Sequence, residues 1–295
     1  MAPPTSITAS SLTSEQVLNF LIRPLETASV FLAAGPRIFD TTGEPVRVPK
    51  LSSMGTPNFV AEGSAIPEVD PSFSEVVLLP STIRPVSSIT RFSNQLARQS
   101  VVDLTVSLRD KMVRDVADVL DTAFISGSGA GTASPTGILN YTGVTVAGSA
   151  IGTATVDDLY DALAAALDEN VNPATLRWMM APRDFVQIHK LKDSTGRSLV
   201  SPDPTTGAID RLLGFPVTTT SKMPTSHNGG TAQVVLADFE QIAVARDLTP
   251  SVTILPERYA EYDQQAIRVI TRYDAQPLNA DAIIKLTGIT AWGTA

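Results

Sequence analysis

The sequence has no cysteine and only two histidines, His189 and His227. The first absence removes disulfides, thiol nucleophiles and cysteine-ligated zinc together. The two histidines are too far apart to form an i,i+4 metal pair. Aromatic residues make up 6% of the chain, and 22 Lys and Arg stand against 30 Asp and Glu, for a formal net charge of -8. No run of basic residues occurs, and binding nucleic acid by neutralising phosphates requires one. Sequence-reading contact with DNA or RNA is therefore not expected, and the acidic balance reads as solubility. No apolar run is long and clean enough for a membrane. The stretch "VLNFLIRPLETASVFLAAG" is interrupted by Arg23, Pro24 and Glu26 and lacks a basic segment before it, which excludes a signal peptide and a span. A soluble protein made and used in a cytoplasm is the expectation.

What the chain does have is length and apolar content: 295 residues, 43% of them hydrophobic, enough for one large domain or two interleaved ones. Residues 1 to about 14 are small, polar and proline-bearing, as in a flexible arm. A helix is possible from Ser14 to Ala34, kinked or ended by Pro24. Residues 44–86 are punctuated by Pro45, Pro49, Pro57, Pro67, Pro71, Pro80 and Pro85, which forbids a long helix. Between the prolines lie strand-like pieces, "VRVPKL" and "FSEVVLLP". The segment also carries Val46, Val48, Leu51, Phe59, Val60, Phe73 and Val76 to Leu79, too many apolar residues for disorder. An extended hairpin has little core of its own. It reads as an arm that docks elsewhere, a second subunit being one candidate.

The clearest helical pattern is "SVVDLTVSLRDKMVRDVADVLDTAFISG". Leu104, Leu108, Met112, Val116, Leu120 and Phe124 recur at helical spacing, with Val113, Val119 and Ala123 widening the stripe. Ser100 and Asp103 resemble a capping box, and Asp110/Arg114, Lys111/Asp115 and Arg114/Asp118 are i,i+4 pairs of opposite charge. About 25 residues at about 1.5 Å rise predict a rod of about 37 Å. "FISGSGAGTASPTGILN" follows. Its glycines begin where the helix stops, so the first is a helix C-terminal signal. A phosphate loop needs glycines that lead into a helix, and neither phosphate-binding spacing is present. The stretch is predicted to be a turn that redirects the chain.

"TVDDLYDALAAALDEN" predicts a second helix, capped by Thr155, with Leu159, Leu163, Ala166 and Leu167 inward. "TLRWMMAP" predicts a buried strand and "PRDFVQIHKLKD" a short helix opened by its proline. "STGRSLVSPDPTTGAIDRLLG" reads as loop. Strands are predicted at "FPVTTTSKM", "TAQVVLAD", "IAVARD", "SVTILPE", "QAIRVITRYDAQ" and "AIIKLTGI". Helices and strands mix without βαβ alternation, so the fold class is α+β.

Chemistry is hard to place on this chain. No G-x-S-x-G elbow occurs. His189 shares a predicted helix with Lys190 and Lys192, and His227 sits in the polar loop "TSHNGG"; neither has a catalytic setting. The adjacent carboxylates Asp157/Asp158, Asp168/Glu169 and Asp115/Asp118 lie on predicted helices, where solvation or the helix dipole accounts for them. No catalytic residue, cofactor or metal is assigned.

Four segments, in order, resemble the major capsid proteins of tailed bacteriophages, whose fold is named after phage Hong Kong 97. They are the long helix with its exit "SGSGAGTASPTGILN", "APRDFVQIHKLKDSTGRSLV", "LLGFPVTTTSKMP" and "VVLADFEQIAVARDLTPSVTILPE". The likeness spans roughly residues 40–290. It implies an N-terminal arm over 1–35 and an extended loop over 44–86 that lies across a neighbouring subunit. A peripheral domain with the spine helix would combine 36–43, 87–136 and 246–276, and an axial domain 137–245 and 277–295. The interface residues it implies are Phe59, Glu62, Phe73 and Glu75 on the extended loop. A charged loop, "ERYAEYDQQ", would add Glu257, Arg258, Glu261 and Asp263 at threefold axes. The implied partners are copies of the chain in pentamers and hexamers, a separate scaffolding protein, a portal, and packaged DNA without sequence-specific binding, with stability from non-covalent contacts or an added decoration protein; no membrane is involved. The implied location is the virion capsid, assembled in a bacterial cytoplasm. The separate scaffolding protein is expected because Met1 opens directly on the arm rather than on a helical scaffolding segment.

Some such proteins crosslink a loop lysine to a neighbour's asparagine with help from a glutamate. On this alignment those positions fall at Gly63, near Asp263 and near Ile270. An autocatalytic crosslink is therefore not expected. An encapsulin-like compartment shell is the alternative within the fold, and a carboxylate-dependent hydrolase the remote one.

Overall fold

The computed structural model describes residues 29–42, 44–53, 59, 72–79, 85–95, 104–129, 134–193, 195–197, 199, 211–226, 229–247, 251–255 and 258–293. Helix α1 (Val30–Ala33) is followed by strands β1 (Arg37–Thr41), β2 (Val46–Ser53), β3 (Ser72–Leu78) and β4 (Val86–Ser93). Next come the long helix α2 (Leu104–Ser126), β5 (Thr145–Gly148), β6 (Gly152–Ala154), α3 (Val156–Asp168), β7 (Leu176–Met180) and α4 (Pro182–His189). The chain continues through β8 (Arg211–Leu212), β9 (Phe215–Thr219), β10 (Ala232–Asp238), β11 (Ile242–Asp247) and β12 (Ser251–Leu255). It ends in β13 (Gln264–Thr271), β14 (Tyr273–Pro277) and β15 (Ile283–Trp292). The helix expected from Ser14 falls outside the described residues up to Ser29, as does the Ser100/Asp103 capping box.

Four sheets organise these strands. The largest has seven, with β5-β15-β10-β7-β9-β8 in a row and β6 also paired to β15. Its central strands are buried on both faces. In β7, Leu176, Trp178 and Met180 join one core while Met179 joins the other. In β10, Val234 and Leu236 point one way and Val235 and Ala237 the other. The two-residue period of a strand produces this division, and it explains why Trp178 to Met180 and Val234 to Ala237 are apolar at every position.

One face of the sheet is covered by α3 and α4, which contribute Leu159, Ala162, Ala166 and Ile188. The other face shares a core with α2, α1 and the sheet β12-β13-β4. From α2 that core takes Met112, Val113, Val116, Ala117, Leu120 and Phe124. Val119, expected in the stripe, is instead 52% exposed, and Ala117 and Asp121 turn inward. Each residue advances about 100° around a helix, so Val119 falls just off the arc that Leu120 occupies. Likewise Leu167 on α3 is exposed, because Leu159, Ala162 and Ala166 set the inward line.

The buried Asp121 has a structural task. Its carboxylate accepts hydrogen bonds from Ser29 Oγ at 2.5 Å, Val30 N at 2.9 Å and Phe31 N at 3.2 Å, capping α1 onto the flank of α2. On α2 the expected Lys111–Asp115 pair is present, whereas Asp118 pairs with Lys222 at 2.6 Å. Thr155 begins α3 as expected, with the Asp158 carboxylate accepting from its backbone N–H and its hydroxyl.

The glycine-rich exit is a chain reversal. Gly127 donates to Ala123 O, Gly137 donates to Gly127 O, and Ser128 bridges Thr136. A Cβ on Gly127 would stand 2.3 Å from Pro135 O, and one on Gly137 would stand 2.5 Å from Ile125 O. Only glycine lets these backbones pass so closely. Asn140 then donates to the carbonyls of Ser126 and Gly127, closing the C-terminal end of α2. The "TGILN" segment thus returns to finish the helix it left.

Two further differences from the expected strands stand out. "QAIRVITRYDAQ" is two strands, β13 in the sheet with β4 and β14 in the sheet β1-β11-β14; the chain changes sheets at Arg272. Strand β1 was not expected at all. It runs parallel to β11, with Arg246 paired to Asp40 across the two.

Candidate assembly surfaces

The hairpin β2–β3 is a sheet of two strands, in register from Val46↔Leu78 to Ser53↔Ser72. Among the described residues its buried side chains sit at its foot, where Leu78 and Leu79 pack on Ala243 and Ala245 of β11, with Phe39, Val46 and Val48 half-buried around them. Away from the foot, Ser72 to Glu75 are exposed, and Phe73 retains 75% of its surface. Phe59, between the two strands in sequence, is fully exposed. Glu75 is engaged within the hairpin, accepting from Arg47 at 3.0 Å. A lone two-stranded hairpin is marginal in water, and this one shows large apolar side chains to solvent.

The foot is tied down by a buried carboxylate. Asp274 accepts from Leu79 N and Ala275 N, both at 2.8 Å. The Leu79 backbone is left-handed, with φ 54°. Burial pushes the Asp274 carboxyl above its ordinary value, and the two amides only partly oppose this. The neighbouring Tyr141 phenol is fully buried and also pushed up, first by burial and then by the Asp274 charge. A raised folded value means that the folded protein binds a proton more readily than the unfolded chain. Stability contributed here therefore increases as pH falls through the folded value toward the ordinary 3.8, and is lost as pH rises. In denaturant titrations the wild type should gain stability over Asp274→Asn as the buffer is taken from neutral toward pH ~4. A constant difference would show that this carboxyl does not titrate differently in the two states.

A second surface surrounds the β12–β13 connection. Two guanidinium groups lie over the Tyr259 ring, Arg91 at 5.2 Å and Arg258 at 5.6 Å from its centre. Asn94 donates through its side chain to Asp263 Oδ1 at 2.7 Å and through its backbone to Asp263 O at 3.0 Å. Arg258, Glu261 and Asp263 are exposed on this one loop, and Tyr262 beside them is 70% exposed. Of the residues expected at interfaces, Phe73 and Glu75 share strand β3, and Arg258, Glu261 and Asp263 share the loop. Glu62 and Glu257 lie outside the described residues. Sequence reasoning missed Arg91, Asn94 and Tyr259. The pairing Ser93↔Gln264 places Asn94 opposite Asp263, and that register is invisible until β4 meets β13.

Nothing in the described residues assembles a reaction centre. No group of three or more His, Asp or Glu residues could hold a metal among them. Asp158 is occupied in a cap, Asp115 by Lys111 and Asp118 by Lys222. His189 packs edge-on against Phe185, their ring centres 4.4 Å apart; His227 lies outside the described residues. In a groove beside α2, lined by Arg114, Asp118, Asp121, Thr219, Ser221 and Lys222, Asp118 is paired to Lys222 and Asp121 caps α1. No described helix is long and apolar enough to cross a membrane.

A profile of the phage capsid family matches residues 11–288. The chain belongs to the phage capsid family. Solved structures share its Hong Kong 97-like fold. The capsid of a native GTA particle is 20% identical, with 88% of this chain and 89% of that chain covered at a TM-score of 0.72. The capsid of an empty GTA particle is 22% identical, with the same coverage and a TM-score of 0.73. A chain from Microbacterium phage Oxtober96 is 16% identical, with 89% and 91% covered and a TM-score of 0.69. No curated protein sequence matches significantly. As a family member the chain is a major capsid protein, a structural protein of a virion capsid. Neither the compartment-shell nor the hydrolase alternative gains support from these matches. Of the capsid protein's three crosslink-equivalent positions, Gly63 lies outside the described residues, Asp263 is exposed on its loop, and Ile270 is paired within β13.

Proposed function

We propose that copies of this chain form the pentamers and hexamers of an icosahedral shell enclosing the double-stranded DNA of a tailed-phage-type virion. The chain performs no chemistry on a substrate, and its shell is held by non-covalent contacts. The observation that carries this reading is the β2–β3 hairpin: a foot sealed by Leu78, Leu79 and Asp274, and a body that presents Phe73 to water. Such an element reaches low free energy only against another surface, and a neighbouring subunit supplies it. In this reading 1–35 is the arm, 44–86 the loop over the neighbour, and 36–43, 87–136 and 246–276 the peripheral domain. Residues 137–245 and 277–295 form the axial domain. Phe59, Glu62, Phe73 and Glu75, with Glu257, Arg258, Glu261 and Asp263, serve as interface residues. A scaffolding protein, a portal and a decoration protein complete the particle, which assembles in the host cytoplasm.

Negative-stain images and native mass of the purified protein, with its scaffold co-expressed, should show rings or closed particles. Particles from the natural source should contain DNA, and on a denaturing gel their shell protein should run as a monomer band near 31.2 kDa without covalent multimers. A stable compact monomer at high concentration overturns the shell, a protein cargo replaces DNA with a compartment role, and a ladder of covalent multimers overturns the non-covalent claim.

A further inference from the structure

The covering helices α3 and α4 carry opposite charge on their outward faces. From Gly152 to Asn170 the chain holds five carboxylates and no basic residue. On α3, Asp157, Tyr160, Asp161, Leu167 and Asp168 fall within one arc of about 120° at about 100° per residue. All five are exposed, opposite the inward Leu159, Ala162 and Ala166. Helix stability does not account for this arrangement: Asp168 and Glu169 stand at the C-terminal end, where the dipole disfavours negative charge, and no base occupies the last turn.

On α4 the outward arc is Arg183, Val186 and Lys190, all exposed. The turn that follows is closed by Asp193 N–H to Arg197 O at 2.9 Å and Leu199 N–H to Leu191 O at 3.0 Å. It adds exposed Lys192, Arg197 and Leu199. The one acid of that turn, Asp193, directs its carboxylate to Thr195 and to the Arg197 amide. Each patch thus has an apolar centre, Tyr160 and Leu167 on one and Val186 and Leu199 on the other, rimmed by charge of one sign.

We infer that the acidic face of α3 in one copy docks against the basic face of α4 and its turn in the next copy. The inference rests on the shell reading above. Both helices pack their inner faces on the same side of the seven-stranded sheet, so both patches point away from it, and no ion pair joins the two among the described residues. Two neighbouring copies satisfy them, one at each patch. Two different patches on one chain give a head-to-tail contact, which closes into a ring when the rotation closes. Like-charged faces repel, so the contact also rejects the reversed pairing.

A charge exchange tests this. Asp161→Lys with Asp168→Lys, or Lys190→Glu with Arg197→Glu, should each lower the assembled fraction by roughly tenfold or more. All four substitutions together should restore assembly. These sites are exposed, so the melting of unassembled subunits should stay close to wild type. If wild type assembles while either pair has no effect, or while the combination fails to recover, the α3–α4 contact is wrong and the shell reading stands. If wild type forms no rings, the shell reading itself fails. Should the variants misfold, the unaltered protein decides: ring formation should slow from ~0.05 M to ~0.5 M salt, and an unchanged rate overturns the inference.

Discussion

Removing Lys50 to Ser74 and joining Pro49 to Glu75 through Asn-Gly should leave a folded subunit that no longer closes into shells. The cut follows the observed register. Val48 pairs with Val76 and Pro49 with Glu75, so a two-residue turn closes the shortened hairpin without disturbing its foot. Leu78 and Leu79 stay on β11, and Asp274 keeps the Leu79 amide. Of what is removed, Phe59 and Ser72 to Ser74 are exposed, so the unfolding free energy should change by less than about 1 kcal/mol. Assembly should fall to background, because the surface offered to the neighbour is gone. Light scattering and electron microscopy read the second effect, and denaturant titration the first. Shells of normal yield would show that the hairpin docks nowhere. A subunit that unfolds would show that the hairpin completes its own chain.

The parts of the fold that the sequence disclosed are those governed by local physics. The α2 stripe, the Thr155 cap, the proline opening α4 and the apolar runs of β7 and β10 each depend on neighbours within a few residues. Elements that depend on distant pairing were hidden. β1, "RIFDT", carries two charges in five residues and becomes a strand only because β11 lies beside it in parallel. The change of sheet at Arg272 leaves no mark in "QAIRVITRYDAQ", because both halves are equally strand-like. Leu213 adopts φ 52° beside Gly214 in the two-residue turn from β8 to β9, a position where Asn or Gly would have signalled it.

The candidate surfaces divide in the same way. Prolines and stranded apolar residues marked 44–86 as an extension because composition alone excludes both a helix and disorder there. The family resemblance, rather than any residue pattern, pointed to the "ERYAEYDQQ" loop. Its contacts of Tyr259 with Arg91 and Arg258 and its Asn94–Asp263 bonds join β4 to a loop far along the chain. The roles of Asp121 and Asp274 were equally hidden. A carboxylate in a charged sequence neighbourhood reads as solvated, and only tertiary structure shows it turned inward onto backbone amides.

Phe124→Ala should be the most damaging single change in the central core. Its ring is fully buried, 5.1 Å from Phe31 and 6.5 Å from Tyr273, while Phe31 meets Phe239 at 5.8 Å. One side chain thereby links α1, α2 and β14. Truncating a buried phenylalanine costs about 3–5 kcal/mol, and the lost aromatic pairs add roughly 0.5–1.5 kcal/mol. A domain's whole stability is about 5–15 kcal/mol, so a large fraction would disappear. The first segment to loosen should be α1, held by the Phe31 ring and the Asp121 cap, and faster amide exchange at Phe31 and Leu32 would register it. Val119→Ala, on the same helix but facing solvent, should stay within about 0.5 kcal/mol of wild type. The two positions are five residues apart in one apolar pattern, and their contrast separates packing from periodicity. Equal and small effects would mean that α2 is not the member on which this core is built.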